Sequence, residues 1–143
     1  VQKRKIASSV AFDESLGERQ PHTMLLVEDN LVNQKVATKL LEKFGYRVDV
    51  AGNGLEAIQA LERQQYDVVF MDIQMPEMDG EEATQVIREK WPSEEHPWII
   101  AMTAHALEGD REHFLSIEMD DYISKPLDVK ELYRVLQRIP ATK

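Results

Sequence analysis

Five short strand-like stretches, each followed by a stretch of helical period, constrain this chain more than any other feature. Met24–Val27, Val68–Met71 and Trp98–Met102 are apolar runs, Tyr46–Ala51 alternates, and Asp121–Ser124 is a short fifth stretch. Val68–Met71 is too short and too β-branched for a helix, and turn residues follow it, so it reads as a buried strand. Between the runs, apolar residues recur at helical spacing. Asn30 is a natural N-cap ahead of Val36, Ala37, Leu40, Leu41 and Phe44, a stripe that reads as core and ends at Gly45. Asn53 caps a second helix with Ala57, Ile58 and Leu61 on one face. A third, from about Glu81 to Lys90, buries Ala83, Val86 and Ile87 and stops at Trp91-Pro92. Leu107–Ile117 is a helix with a thin apolar face, and the last, about Asp128 to Arg138, buries Val129, Leu132, Val135 and Leu136.

This alternation implies an α/β fold, with a parallel sheet covered by helices on both faces. Right-handed crossovers leave few topologies, and a doubly wound five-stranded sheet of order 2-1-3-4-5, already known for folds of this kind, is the expected one. Residues 1–22 are polar and lack a sustained period, so they read as a linker or tail, with a weakly signalled helix around Ala11–Glu18. Residues 23–143 form the expected domain. A chain of 143 residues has room for one core and not two full ones. It begins at Val1 without an initiator Met and reads as an excised fragment or a processed chain.

Composition narrows the function. A net charge of −9 argues against a nucleic-acid or anionic-membrane surface, which needs clustered Lys and Arg. The absence of Cys rules out thiolate metal sites. The longest purely apolar run, Trp98–Met102, is far short of a membrane span.

Parallel strands put their carboxyl ends at one edge, where ligands of open α/β sheets bind. Strand 1 ends in Glu28 and Asp29, strand 3 in Asp72, strand 4 in Thr103 and strand 5 in Lys125. In the expected order these strands are neighbours, so carboxylates, a hydroxyl and an ammonium meet at the switch point. Crowded carboxylates repel unless a cation or proton relieves them, and oxygen-only ligands suit Mg2+ better than zinc. A carboxylate can also accept a phosphoryl group as a nucleophile, with Lys and Thr steadying its oxygens. The plainer alternatives are that Asp72 caps the turn after it and that Lys125 alone balances the charge. Asp79-Gly80 reads as turn chemistry.

Glu28-Asp29-Asn30, Met71-Asp72-Ile73-Gln74-Met75-Pro76-Glu77-Met78-Asp79-Gly80, Ala101-Met102-Thr103-Ala104 and Met119-Asp120-Asp121-Tyr122-Ile123-Ser124-Lys125-Pro126 closely resemble the receiver (response-regulator) domain of two-component signalling. The resemblance runs from about Thr23 to Pro140 and implies a flavodoxin-like (βα)5 fold. It implies that Asp72 is the phosphoacceptor, taking a phosphoryl group from a phosphohistidine, in a reaction the domain catalyses on itself. Asp29, Asp72 and the Gln74 carbonyl would hold Mg2+, with Glu28 acting through a bound water. Lys125 would contact the phosphoryl group, with a cis peptide to Pro126. Thr103 and Tyr122 would form the switch pair, and Gln74 and His105 would flank the pocket and tune dephosphorylation. Implied partners are a histidine kinase dimerisation domain or a histidine phosphotransfer protein; Leu31 and Val32 on the first helix either take the partner helix or merely pack.

The phrasing around Glu28, Asp72 and Lys125 is most similar to receivers attached to hybrid sensor histidine kinases. A C-terminal receiver of such a kinase is therefore the expected origin, cytoplasmic even where the parent kinase is membrane-anchored. A stand-alone response regulator is the alternative. Two other classes compete: a pseudo-receiver that only binds partners, and an Asp-nucleophile Mg2+-dependent phosphohydrolase. The first is expected to lose Asp72, Lys125 or the acidic pair, and all are present. The haloacid-dehalogenase type of the second resembles Asp-x-Asp, and Gln74 stands at that second position. One departure from the receiver pattern is Glu118, where such sequences usually carry Gly at a left-handed helix end.

Overall fold

The computed structural model describes residues 15–75, 78–104 and 110–141. In chain order the elements are α1 (Leu16–Arg19), β1 (Met24–Val27), α2 (Leu31–Lys43), β2 (Val48–Ala51), α3 (Gly54–Arg63), β3 (Val68–Asp72), α4 (Gly80–Lys90), a short 3-10 turn (Ser93–Glu95), β4 (Trp98–Thr103), α5 (Asp110–Ser116), β5 (Asp121–Ser124) and α6 (Val129–Arg138). The strands form one five-stranded sheet of order β2-β1-β3-β4-β5, and every pair is parallel. This is the topology expected from the alternation of strands and helices.

Strand side chains alternate between two cores. On one face Met24, Leu26, Phe70, Ile100, Met102 and Ile123 pack with Leu41 and Phe44 of the α2 end and with Leu132, Val135 and Leu136 of α6. On the other, Leu25, Val27, Val69, Met71, Ile99 and Ala101 meet Ala57 and Leu61 of α3, Ala83 and Ile87 of α4, and Phe114 of α5. The central strands β1 and β3 are buried along their whole length, which is why they read as unbroken apolar runs.

Helix starts follow the expected caps. The side chains of Asn30, Asn53 and Asp128 accept from the N–H groups of Asn33, Glu56 and Glu131. Asp79 and Glu82 form a reciprocal capping box that starts α4, so Asp79 works as a helix cap and Gly80 is the first helical residue. Gly80 has a steric reason as well. A Cβ there would lie 2.4 Å from the main-chain oxygen of Asp72. The helix N-terminus therefore presses directly against the loop that follows β3.

Three readings change. Val36 was expected in the core stripe, but its side chain is 47% exposed; Ala37, Leu41 and Phe44 carry the buried face instead. The helical period was right and its phase was displaced by about one residue. Strand β2 begins at Val48 instead of Tyr46, and Tyr46 is buried before the ladder starts, its hydroxyl donating to the Gln20 carbonyl (2.7 Å). Packing also extends upstream of Thr23. Leu16 is buried in the first core, and the Gly17 N–H donates to the Phe44 carbonyl (2.9 Å). Of the weakly signalled helix, residues Leu16–Arg19 are helical, and its expected beginning lies outside the described residues, as do His105 and the start of the expected Leu107–Ile117 helix.

Candidate functional site

The carboxyl edge of the sheet carries a cleft of about 210 Å3 lined by Glu28, Asp29, Asn30, Asp72, Gln74, Thr103 and Lys125, among others. β1 ends one residue before Glu28, β3 ends on Asp72, β4 ends on Thr103, and Lys125 follows β5. The parallel register brings these ends together. Asp72 pairs with Met102, and Thr103 pairs with Ser124, so Asp72 and Lys125 flank the Thr103 strand end from its two sides.

Glu28 and Asp72 are each 2% exposed, which is unusual for carboxylates and needs compensation. Lys125 supplies it. Its Nζ lies 2.9 Å from Asp72 Oδ1 and 3.4 Å from Glu28 Oε1. Burial lowers the Lys125 pKa, but the hydrogen bond and charge of Asp72, reinforced by Glu28, outweigh it and leave the group raised and protonated. Burial pushes the Glu28 carboxyl up, and although the Asn30 N–H and Lys125 pull it down, the neighbouring Asp72 helps leave it at about 7. Asp72 Oδ1 also accepts from the Gln74 N–H (3.3 Å), so the plain reading of Asp72 as a turn cap is correct as far as it goes. Capping occupies only part of its acceptor capacity.

Carboxylate oxygens of Glu28, Asp29 and Asp72 lie within 4.8 Å of one another. The single charge of Lys125 cannot neutralise all of them. The donor set fits a hard divalent cation: it offers oxygen alone, with Asp29 open to solvent and room for water beside it.

Thr103 is buried at the cleft wall, and its carbonyl accepts the Lys125 N–H (2.7 Å). Tyr122 sits opposite Ala101, two positions back from the Thr103 register, with its ring 5.9 Å from that of Phe114. Gln74 is exposed on the cleft. The Lys125–Pro126 peptide is cis. Thus Glu28, Asp29, Asp72, Gln74, Thr103 and Lys125 converge on one cleft, while Tyr122 stands behind it. Sequence reasoning overlooked Gly80, whose lack of a side chain admits the α4 terminus to the Asp72 loop, and Gln34, whose amide donates to the Glu28 carbonyl at 2.6 Å. The Asp79-Gly80 pair was visible as a turn signal, and Gln34 was visible only as the last residue of the Glu-Asp-Asn-x-Val-Asn-Gln phrase that resembles hybrid-kinase receivers, with no role attached to it.

A family model of the response regulator receiver domain matches residues 24–137. The chain belongs to the response regulator receiver family. It is 44% identical over 119 residues to hybrid signal transduction histidine kinase B of Dictyostelium discoideum, an alignment covering 76% of this chain and 6% of that protein. It superposes on the magnesium-bound receiver domain of the Pseudomonas aeruginosa sensor histidine kinase PA1611 with a TM-score of 0.72 and 47% identity, covering 82% of this chain and 96% of that one. It also matches the receiver of Ssk1 from Saccharomyces cerevisiae, solved with the histidine phosphotransfer protein Ypd1 (TM-score 0.75, 29% identity, 84% and 89% covered). The chain is thus a receiver domain of two-component phosphorelay signalling, and it spans a small fraction of the curated relatives' length. No helix among the described residues is long and apolar enough to cross a membrane.

Proposed function

We propose that Asp72 is the phosphoacceptor of this receiver and that Glu28, Asp29 and Asp72 hold Mg2+, with the Gln74 carbonyl completing the set. The observation that carries the reading is the buried Asp72 carboxylate held 2.9 Å from Lys125 Nζ, in a cluster with two further carboxylates. In the reaction an Asp72 carboxylate oxygen bonds to the phosphorus of a phosphohistidine. The P–N bond breaks, and its electron pair stays on the imidazole nitrogen. Bound Mg2+ supplies charge stabilisation for the transferring oxygens. Lys125 exchanges its contact with the Asp72 carboxylate for one with the phosphoryl group. Thr103 donates its hydroxyl to a phosphoryl oxygen, and Tyr122 repacks as Thr103 moves, which biases the domain between two loop arrangements.

The donor docks on α2. Leu31 and Val32 are 71% and 68% exposed, adjoining Val36 on the solvent face and directly following the Asp29-Asn30 loop. An apolar patch at the mouth of the cleft suits a partner helix that carries the phosphohistidine, whether on a histidine phosphotransfer protein or on a kinase dimerisation domain. We infer that this receiver belongs to a hybrid sensor histidine kinase, in keeping with curated relatives named hybrid signal transduction histidine kinases.

The test compares two donors. Leu31→Asp with Val32→Asp is expected to leave labelling by a small phosphodonor unchanged and to slow transfer from a phosphorylated histidine phosphotransfer protein about tenfold or more. Equal loss with both donors would place the damage in the site. No loss with the protein donor would remove α2 as the docking face.

A further inference from the structure

The acidic loop faces a mechanical problem. Glu28 and Asp29 are consecutive, both lie beside Asp72, and like charges at such range push the loop apart. The sheet holds only its first residue, through the Glu28 N–H to the Ala51 carbonyl (3.0 Å). Beyond Glu28 the ladder ends and α2 has not begun.

Gln34 spans this gap. Its side-chain Nε2 donates to the Glu28 carbonyl at 2.6 Å, and its main-chain N–H donates to the Asn30 carbonyl at 2.9 Å. One residue, at the end of the first turn of α2, therefore grips the loop at both ends. Two smaller bonds complete the ring: Asn30 N–H to Glu28 Oε2 (3.1 Å) and Asn33 N–H to Asn30 Oδ1 (3.0 Å). The main-chain bond is ordinary helix geometry. The side-chain bond is the unusual one, because it satisfies a half-buried carbonyl that, among the described residues, has neither a strand nor a helix partner in its register.

We propose that Gln34 is a positioning residue for the cation loop, fixing where Glu28 and Asp29 present their carboxylates. The proposal rests on the cation reading of the site given above. Without the amide donor, the Glu28 carbonyl turns toward water and the loop relaxes along the direction that charge repulsion favours. A divalent cation must then draw the carboxylates back together, and this shows as weaker binding. Outer-shell partners of metal ligands commonly act in this way. Gln34 touches neither the phosphoryl group nor the nucleophile, so the rate at saturating cation stays near that of the unaltered protein.

Gln34→Met keeps the length and helix propensity and removes the donor. Gln34→His at pH 8 restores a neutral ring N–H at a similar reach. Mn2+ binding followed by electron paramagnetic resonance, with Mg2+ competition, gives the cation affinity without reference to phosphorylation. Thermal unfolding in chelator monitors the fold, and a small phosphodonor at saturating Mg2+ gives the plateau rate. The expected result is cation affinity roughly three- to tenfold weaker in Gln34→Met, recovered in large part by Gln34→His, with an almost unchanged plateau rate and unfolding midpoint. Unchanged affinity in a folded Gln34→Met protein, or Gln34→His as weak as Gln34→Met, overturns the proposal. A loss of plateau rate and unfolding midpoint together, with affinity intact, assigns Gln34 a purely structural role and also overturns it. Absence of cation binding by the unaltered protein would instead overturn the site reading itself, and the proposal with it.

Discussion

The guanidinium of Arg88 donates twice to the main-chain carbonyl of Glu118, from Nε at 2.9 Å and from Nη2 at 2.7 Å. Glu118 is the one non-glycine residue with positive φ among the described residues, at 68°. The same guanidinium reaches the Pro97 carbonyl at 3.0 Å and the Asp120 carboxylate at 2.8 Å. The α5–β5 corner thus holds Glu in a left-handed conformation that favours Gly, and Arg88 secures the carbonyl of that residue. Replacing Glu118 by Gly removes the left-handed penalty and is expected to stabilise the domain by about 0.5–1 kcal/mol. Arg88→Met removes the guanidinium donor from the Pro97 and Glu118 carbonyls and one of the donors to the Asp120 carboxylate, which keeps the Ile99 N–H, and is expected to destabilise by about 2 kcal/mol. Urea denaturation of both variants checks this; a destabilised Glu118→Gly would contradict it.

The segment before β1 is part of the packed structure. Leu16 is 1% exposed, and a Cβ on Gly17 would lie 2.2 Å from the Gly45 oxygen, so only Gly lets the chain pass this close to the end of α2. We infer that the Leu16–Gly17 contacts belong to the stable receiver, ahead of the Thr23 boundary drawn from polarity. Leu16→Ala is expected to cost about 2–4 kcal/mol and Gly17→Ala to lift the segment off. A chain beginning at Thr23 should unfold at lower urea than one beginning at Ser15. Equal midpoints would return the boundary to Thr23.

Glu28 gives the site a pH dependence of definite sign. Its folded pKa is raised to about 7 from an ordinary 4.5, so the folded state keeps a proton that the unfolded state has released. Stability in chelator is expected to fall as pH rises between these values, because the unfolded chain then binds fewer protons. A bound divalent cation favours the ionised carboxylate and competes with that proton. The rise in unfolding temperature produced by Mg2+ should therefore be larger at pH 8 than at pH 6, and Glu28→Gln should flatten the chelator profile. A Mg2+ effect that shrinks with rising pH would contradict this.

Much of this arrangement was legible in the sequence because it follows from periodicity and from strand ends. Unbroken apolar runs marked β1 and β3, helical spacing marked α3, α4 and α6, and Asn30 and Asn53 marked the helix starts they cap. The parallel sheet then turned five scattered residues, Glu28, Asp29, Asp72, Thr103 and Lys125, into neighbours at one edge. Less visible were interactions that depend on side-chain reach across elements. Arg88 binds a corner 30 residues away, and its sequence neighbours give no hint of it. Gln34 closes the Glu-Asp-Asn-x-Val-Asn-Gln phrase, but the phrase does not say which carbonyl its side chain meets. Val36 lay close enough to the apolar stripe to be taken for core, because adjacent residues on a helix differ by about 100° and a stripe is about that wide. Leu16 is a single buried contact in a polar stretch, too little to create a period.

The central claim is that Asp72 accepts the phosphoryl group in a cation-dependent reaction. The most direct measurement is the intact mass after incubation with a small phosphodonor and Mg2+, taken on the unaltered protein, on Asp72→Asn, and on a sample with chelator in place of Mg2+. The account predicts a gain of one phosphoryl group in the first and none in the other two. A gain that persists in Asp72→Asn would contradict it by naming another nucleophile, and no gain in any sample would leave the acidic cleft a structural feature.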